Sequence, residues 1–221
     1  MAAVIRRYDC DKPLERTRGL RAAVGAVRRG ALVVLPTDTV YGLGTDAFSP
    51  SAVAALLAAK GRGRDMPVPV LVPSPKTLPG IAVLPGGAGQ RLVDAFWPGG
   101  LTVVCTAQPS LDWDLGDARG TVAVRMPLHP VALELLTETG PMAVSSANRS
   151  GRPPAVTIEE AIEQLGDAVA IYLDGGEAQD NVPSTIVDVT GEVPRVLRSG
   201  AVSIELLREV EPTIADLSHQ G

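Results

Sequence analysis

The sequence predicts an α/β fold, a single domain built on a mixed sheet. Three observations predict it. Short apolar runs of strand length alternate with helix-length segments along the chain. Hydrophobic residues make up 45% of the chain and aromatic ones only 3%, so the core must come from Ala, Val, Leu and Ile. Such a core suits α/β layers better than a sandwich or an aromatic base-stacking platform. The 221 residues fit one large domain or two small ones. Nothing repeats, and only the Pro/Gly-rich 73–89 segment resembles a linker, which favours one domain over 1–221 with its core at about 14–202. The connections vary too much in length for a plain doubly wound sheet.

The elements follow in order. A strand is predicted at about Ala3–Tyr8 and a helix at about Leu14–Arg29, with Leu20, Val24 and Val27 near helical spacing. Ala31–Leu35 is a β-branched apolar run that Pro36 ends. The hydroxyl-rich turn Thr37–Gly44 leads to a helix capped by Ser49 or Ser51 and running to Ala59. Val68–Val72 reads as a strand, at an edge or entry because Pro69 cannot donate to a ladder. Residues 73–89 read as an irregular connection. Gln90–Phe96 is a short helix, Leu101–Ala107 a strand, Gln108–Gly120 a polar loop and Thr121–Pro127 a strand. His129–Thr139 is a helix with Val131, Leu135 and Leu136 on one side, and Met142–Ser145 a strand. Thr157-Ile158-Glu159-Glu160 has the form of a capping box opening a helix to Leu165. Strands are predicted at Val169–Leu173, Ser184–Val189 and Arg195–Arg198. A last helix, about Ile204–Glu209, is capped by Ser203, and residues 211–221 are expected to fray.

Charge and cysteines narrow the function classes. A net charge of −5 argues against a generally basic nucleic-acid coat, though not against a local basic cleft. Cys10 and Cys105 are far apart and not at a metal spacing, so neither a disulfide nor zinc is expected. The start, MAAVIRRYDCDK, lacks a signal-peptide core, and no apolar run approaches about 18 residues. The expectation is a soluble cytoplasmic protein with no membrane contact.

Chemistry concentrates in Gly30–Arg64. There a strand, a polar turn and a helix run out into Lys60-Gly61-Arg62-Gly63-Arg64. Cations set among glycines suit a polyanion such as a triphosphate: arginine offers a planar fork to phosphate oxygens, lysine a point charge. Taken alone, the same residues also fit a solvated loop. No Walker loop, G-x-G-x-x-G or Ser/His/Asp triad is present, so any nucleotide must be held by hydroxyls, amides and cations. His129, ahead of Pro130, reads as structural or exposed, and His219 lies in the tail.

Four clusters meet that need at predicted strand-to-loop junctions, where ligand sites of α/β proteins gather. They are Thr37 and Thr39 with Lys60 and Arg62; Thr121 with Arg125; Ser145 and Ser146 with Asn148; and Ser184 and Thr185 with Arg195 and Arg198. Each alone also fits an ordinary turn or strand.

Together they carry a resemblance. PTDTVYGLGTDA followed by KGR, with TVAVRMP, SSAN and PSTIVDV in the same order from Ala31 to Ala201, resembles the YrdC family of threonylcarbamoyl-AMP synthases. The resemblance implies a twisted mixed sheet with flanking helices around a deep concave site. It implies catalytic roles for Lys60 and Arg62 on the ATP phosphates. It puts Thr39, Arg125, Ser146 and Ser184 on the substrate threonine, with Arg125 on its carboxylate. Thr121, Asn148 and Arg198 then lie near the nucleotide, Ser146 and Asn148 forming an S-x-N motif shared by both substrates. Mg²⁺ is expected only with ATP, with no protein side-chain ligand. Two departures stand out. Gly63 follows Arg62 where the family often has proline, and Met66 and Leu71 stand where it often has Asn and His.

The resemblance implies a nucleotidyltransferase that makes threonylcarbamoyl-AMP and pyrophosphate from L-threonine, bicarbonate and ATP. A downstream transferase complex then modifies a tRNA adenosine beside the anticodon. Two alternatives stay open. One is a non-catalytic RNA-binding module of the same fold. The other is a carbamoyl-adenylate-handling domain of hydrogenase-maturation type, whose usual acylphosphatase and zinc-finger modules are missing from this sequence.

Overall fold

The computed structural model describes residues 5–84, 86–178 and 181–218. Ala3 and Val4 of the expected first strand, and His219, lie outside the described residues. In chain order the elements are β1 (Arg7–Asp9), α1 (Pro13–Val27), β2 (Val33–Leu35), β3 (Gly42–Asp46) and α2 (Pro50–Lys60). Next come β4 (Val70–Leu71), α3 (Leu78–Ile81), β5 (Ala82–Val83), α4 (Gly86–Phe96), β6 (Leu101–Ala107) and β7 (Thr121–Arg125). They continue as α5 (Pro130–Thr139), β8 (Met142–Ser146), α6 (Ile158–Leu165) and β9 (Ile171–Asp174). The last are β10 (Thr185–Asp188), β11 (Arg195–Arg198), α7 (Ile204–Val210) and β12 (Ala215–Asp216).

The strands form one twisted mixed sheet in the order β1-β9-β2-β3-β8-β4-β7-β6-β10-β11-β12, with β5 attached to β6. Parallel pairs (β1 with β9, β4 with β7, β6 with β10) are interspersed with antiparallel ones (β2 with β3, β3 with β8, β6 with β7). Side chains alternate across a strand, and the two core clusters follow that alternation. Val34, Leu43, Ala143 and Tyr172 lie in one cluster with residues of α2, α4, α6 and α7. Val33, Leu35, Met142, Val144 and Leu173 lie in the other with residues of α1 and α5. One face is thus covered along much of its width. The other is covered by α1 and α5 over β9, β2, β3 and β8.

The expected helix ends are set by local chemistry. Ser49 caps α2 through the Ala52 amide at 3.4 Å, and Ser203 caps α7 through Leu206 at 3.3 Å. The capping box is complete at α6: Thr157 accepts from the Glu160 amide and the Glu160 carboxylate accepts from the Thr157 amide. Gly61 ends α2 in the left-handed region (φ 62°), a conformation glycine adopts without a Cβ penalty.

Three expectations are corrected. The polar turn stops at Tyr41, because Gly42–Asp46 is strand β3, inserted between β2 and β8. Residues 73–89 are not irregular throughout. They hold a 3₁₀ turn, α3, β5 and the start of α4. The tail is ordered as far as it is described, since Ile214 is buried, β12 pairs with β11 and the Leu217 amide donates to the Val196 carbonyl at 3.0 Å.

Candidate active site

The sheet face that α1 and α5 leave uncovered is floored by apolar side chains with Thr102 and Arg125 set among them. Leu71 on β4 pairs with Arg125 on β7, Ala123 with Val104 on β6, and Thr102 with Ile186 on β10, so these side chains share one face. Over them lies a cavity of about 430 Å³. Its walls come from the β2–β3 connection (Thr37, Thr39), the turn after α2 (Arg62), the end of β8 (Ser145, Ser146) and the Ser184 and Arg198 region. The volume is that of a small-ligand site.

The four sequence clusters therefore meet. Thr39, Arg62, Thr121, Arg125, Ser146, Ser184 and Arg198 all line the cavity. Lys60 and Asn148 are not among its lining residues. The buried Lys60 ammonium donates to the carbonyls of Ser146 and Asn148 (2.7 Å to Asn148) and to Asn148 Oδ1 at 3.1 Å. Asn148 Nδ2 in turn donates to the carbonyls of Arg149 and Arg152. The pair braces the loop after β8 from behind. Burial, with Arg62 nearby, pushes the Lys60 pKa down to about 8. Arg195 also stays outside, with Nη2 donating to Asp188 at 3.3 Å on the exposed flank of β11.

Arg62 is fixed from three sides. Nε donates to the Met66 carbonyl at 2.9 Å, Nη2 to the Pro67 carbonyl at 3.2 Å and Nη1 to Ser145 Oγ at 3.1 Å. Arg198 donates through Nη2 to the Ser184 carbonyl at 2.6 Å and to Ser184 Oγ at 3.1 Å. Ser184 Oγ also shares a hydrogen bond with Thr102 Oγ1 at 2.8 Å. Gly200 permits the approach of β11 to Ser184. A Cβ there would lie 2.2 Å from the Pro183 carbonyl oxygen, against backbone that cannot swing away. Burial lowers the Arg198 pKa, and Arg125 and Arg62 lower it further, so the three guanidiniums sense one another across the site. Among the described residues no Asp or Glu lines the cavity, and none cluster as a metal-ion site.

Asp38 and Thr102 escaped the sequence reading. Asp38 Oδ1 accepts from Arg125 Nη2 at 2.7 Å and from the Leu128 amide at 2.9 Å, while Arg125 Nη1 donates to Thr39 Oγ1 at 2.8 Å. Both charged partners are almost wholly buried. The signal for Asp38 is its place between the two threonines of P-T-D-T. For Thr102 it is a lone hydroxyl in the apolar run LTVVC. Leu71, at the position where the family often has histidine, is apolar wall, and Met66 is exposed, offering its carbonyl to Arg62. His129 stands at the N-cap of α5 without a side-chain capping bond, away from the cavity.

Comparison with known proteins places this geometry. The Sua5/YciO/YrdC family model, described as "Telomere recombination", matches residues 25–200. A provisionally named threonylcarbamoyl-AMP synthase of Mycobacterium tuberculosis is 62% identical over 204 residues, covering 92% of this chain and 94% of its own. The threonylcarbamoyl-AMP synthase of Pyrococcus abyssi is 36% identical over 199 residues, covering 90% of this chain and 58% of its own. The crystal structure of P. abyssi Sua5 complexed with L-threonine superimposes with a TM-score of 0.89 at 34% identity, over 97% of this chain. This chain spans 62% of the length of that structure. Among the described residues no helix is long and apolar enough to cross a membrane.

Proposed function

Because the chain belongs to the Sua5/YciO/YrdC family, we propose that it is a threonylcarbamoyl-AMP synthase acting in the cytoplasm. The amine of L-threonine takes up bicarbonate-derived CO₂ as a carbamate. The carbamate oxygen attacks the α-phosphorus of ATP, pyrophosphate leaves and water is released overall. A separate transferase complex then passes the threonylcarbamoyl group to a tRNA adenosine beside the anticodon.

One observation carries this reading: three guanidiniums and a ring of hydroxyls surround a single cavity whose described lining holds no carboxylate. Such a site suits the triphosphate and the amino-acid carboxylate together. Arg62 and Arg198 hold the phosphates, with Thr121 beside the nucleotide. Thr39, Arg125, Ser146 and Ser184 hold threonine. Lys60 and Asn148 shape the loop that presents Ser146. The L-threonine complex of the P. abyssi relative supports the amino-acid assignment. Among the described residues no lining side chain is an obvious covalent nucleophile, so catalysis rests on positioning and on stabilising charge at the phosphates. Mg²⁺ enters as part of the ATP substrate, on phosphate oxygens.

The test is pyrophosphate release measured with threonine, bicarbonate and ATP each omitted in turn. Release is expected only when all three are present. Release without threonine would overturn the proposal.

A further inference from the structure

The two hydroxyls of the β2–β3 connection can be assigned a direction by counting protons. A threonine hydroxyl donates once and accepts twice. Thr37 Oγ1 lies 2.6 Å from the Val40 carbonyl, which can only accept, so the single Thr37 proton goes there. Thr37 Oγ1 also receives the Thr39 amide at 3.2 Å. It lies 3.1 Å from Thr39 Oγ1. With its own proton committed, Thr37 must accept in that contact, and Thr39 must donate. Thr39 Oγ1 meanwhile accepts from Arg125 Nη1 at 2.8 Å. Asp38 fixes that guanidinium at 2.7 Å. What Thr39 has left for the cavity is one lone pair and no proton.

We infer that Thr37 is a positioning residue that fixes the Thr39 hydroxyl as an acceptor toward the cavity, and that this oxygen receives an N–H of the amino-acid substrate. The inference rests on the reading that the cavity takes an amino acid. A carboxylate oxygen brings no proton and is refused at Thr39, whereas the cationic Arg125 beside it favours a carboxylate. In an α-amino acid the carboxylate and the nitrogen are joined through a single carbon. The adjacent guanidinium and acceptor oxygen therefore match the two groups and fix which end of the molecule faces which residue. The arrangement holds the substrate nitrogen without taking its proton away, since Thr39 is already protonated.

The experiment is a binding cycle, by calorimetry with and without a non-hydrolysable ATP analogue. Wild type, Thr37→Val and Thr37→Ser are titrated with L-threonine, L-2-aminobutyrate (no hydroxyl) and 3-hydroxybutyrate (no amine). Thr37→Val is expected to weaken both amine-bearing ligands about 10-fold and to leave 3-hydroxybutyrate within about twofold. Thr37→Ser, which keeps the hydroxyl, should match wild type. Equal weakening of all three ligands, no weakening at all, or a Thr37→Ser protein that behaves like Thr37→Val would overturn the inference. Should Thr37→Val not fold, Thr39→Val serves: its preference for amine-bearing ligands should vanish, and a retained preference overturns the inference. Wild-type protein that binds threonine but releases no pyrophosphate with it sinks the synthase reading alone. Wild-type protein that binds no threonine sinks both.

Discussion

At the scale of the residue, Arg62 lines the cavity and also holds the chain around it. Arg62→Ala removes charge-assisted hydrogen bonding to phosphate worth roughly 1.5–3 kcal/mol in all. The expected loss is about 10- to 150-fold in kcat/KM for ATP. Arg62→Lys should recover only part, because an ammonium cannot reproduce a two-point fork. The carbonyls of Met66 and Pro67 lose their donor in the same change, so a drop in Tm is expected alongside, and both must be measured. Full activity with an unchanged Tm would remove this arginine from the site. Asp38 makes the contrasting prediction. It is the carboxylate partner of a buried arginine, and breaking a buried pair from one side costs about 3–5 kcal/mol. Asp38→Ala should show that loss in urea unfolding. Asp38→Asn should lose less, since an amide oxygen still accepts from Arg125 and from the Leu128 amide. An Asp38→Ala protein within about 1 kcal/mol of wild type would mean that the pair contributes little.

At the scale of the element, β3 is the instructive case. Its sequence, GLGTD, has two glycines and reads as turn. It is a central strand because its neighbours crowd it. A Cβ on Gly42 would sit 2.7 Å from Val144 Cγ1 and 3.4 Å from Leu35 Cδ2. On Gly44 it would meet Met142 Cε at 2.9 Å, Val144 Cγ2 at 3.0 Å and Leu35 Cδ2 at 3.3 Å. Gly42→Ala and Gly44→Ala should therefore each cost about 1–3 kcal/mol by overpacking, as read from chemical denaturation. Two variants as stable as wild type would show that β3 does not pack this way. Elements with a local cause were legible in the sequence: α2 from Ser49 and Gly61, α6 from its capping box, β6 from five apolar residues in seven. Elements with a tertiary cause were not. Beyond β3, the strands β4, β5 and β12 are two residues each and exist only through their partners.

At the scale of the whole molecule, the loops of the site were legible and its floor was not. Hydroxyls and cations beside glycines mark Thr37, Thr39, Arg62 and Ser146 wherever they end up. That Thr102, Val104 and Ala123 face a cavity depends on α1 and α5 covering only part of one sheet face, which no local pattern states. The two faces also hold the two cysteines, Cys10 in one core cluster and Cys105 in the other. Both are buried, and burial pushes each thiol up to about 12. An acid whose folded pKa is raised gives stability that is intact below its unfolded pKa and lost as pH rises toward the folded one. For Cys105 that window runs from 9.0 to about 12. The tyrosines Tyr41 and Tyr172, likewise raised by burial, act in the same direction at higher pH. Lys60 acts oppositely: lowered to about 8, it favours the folded state increasingly as pH rises past that value. The wild-type curve mixes these effects, so the test must be differential. Cys105→Ala carries a cavity cost that does not depend on pH. The stability gap between wild type and Cys105→Ala should therefore shift by about 1 kcal/mol between pH 8 and pH 10, with wild type losing ground. Parallel curves for the two proteins across that interval would show that the thiol ionises as readily in the folded chain as in the unfolded one, and that this half of the core admits water.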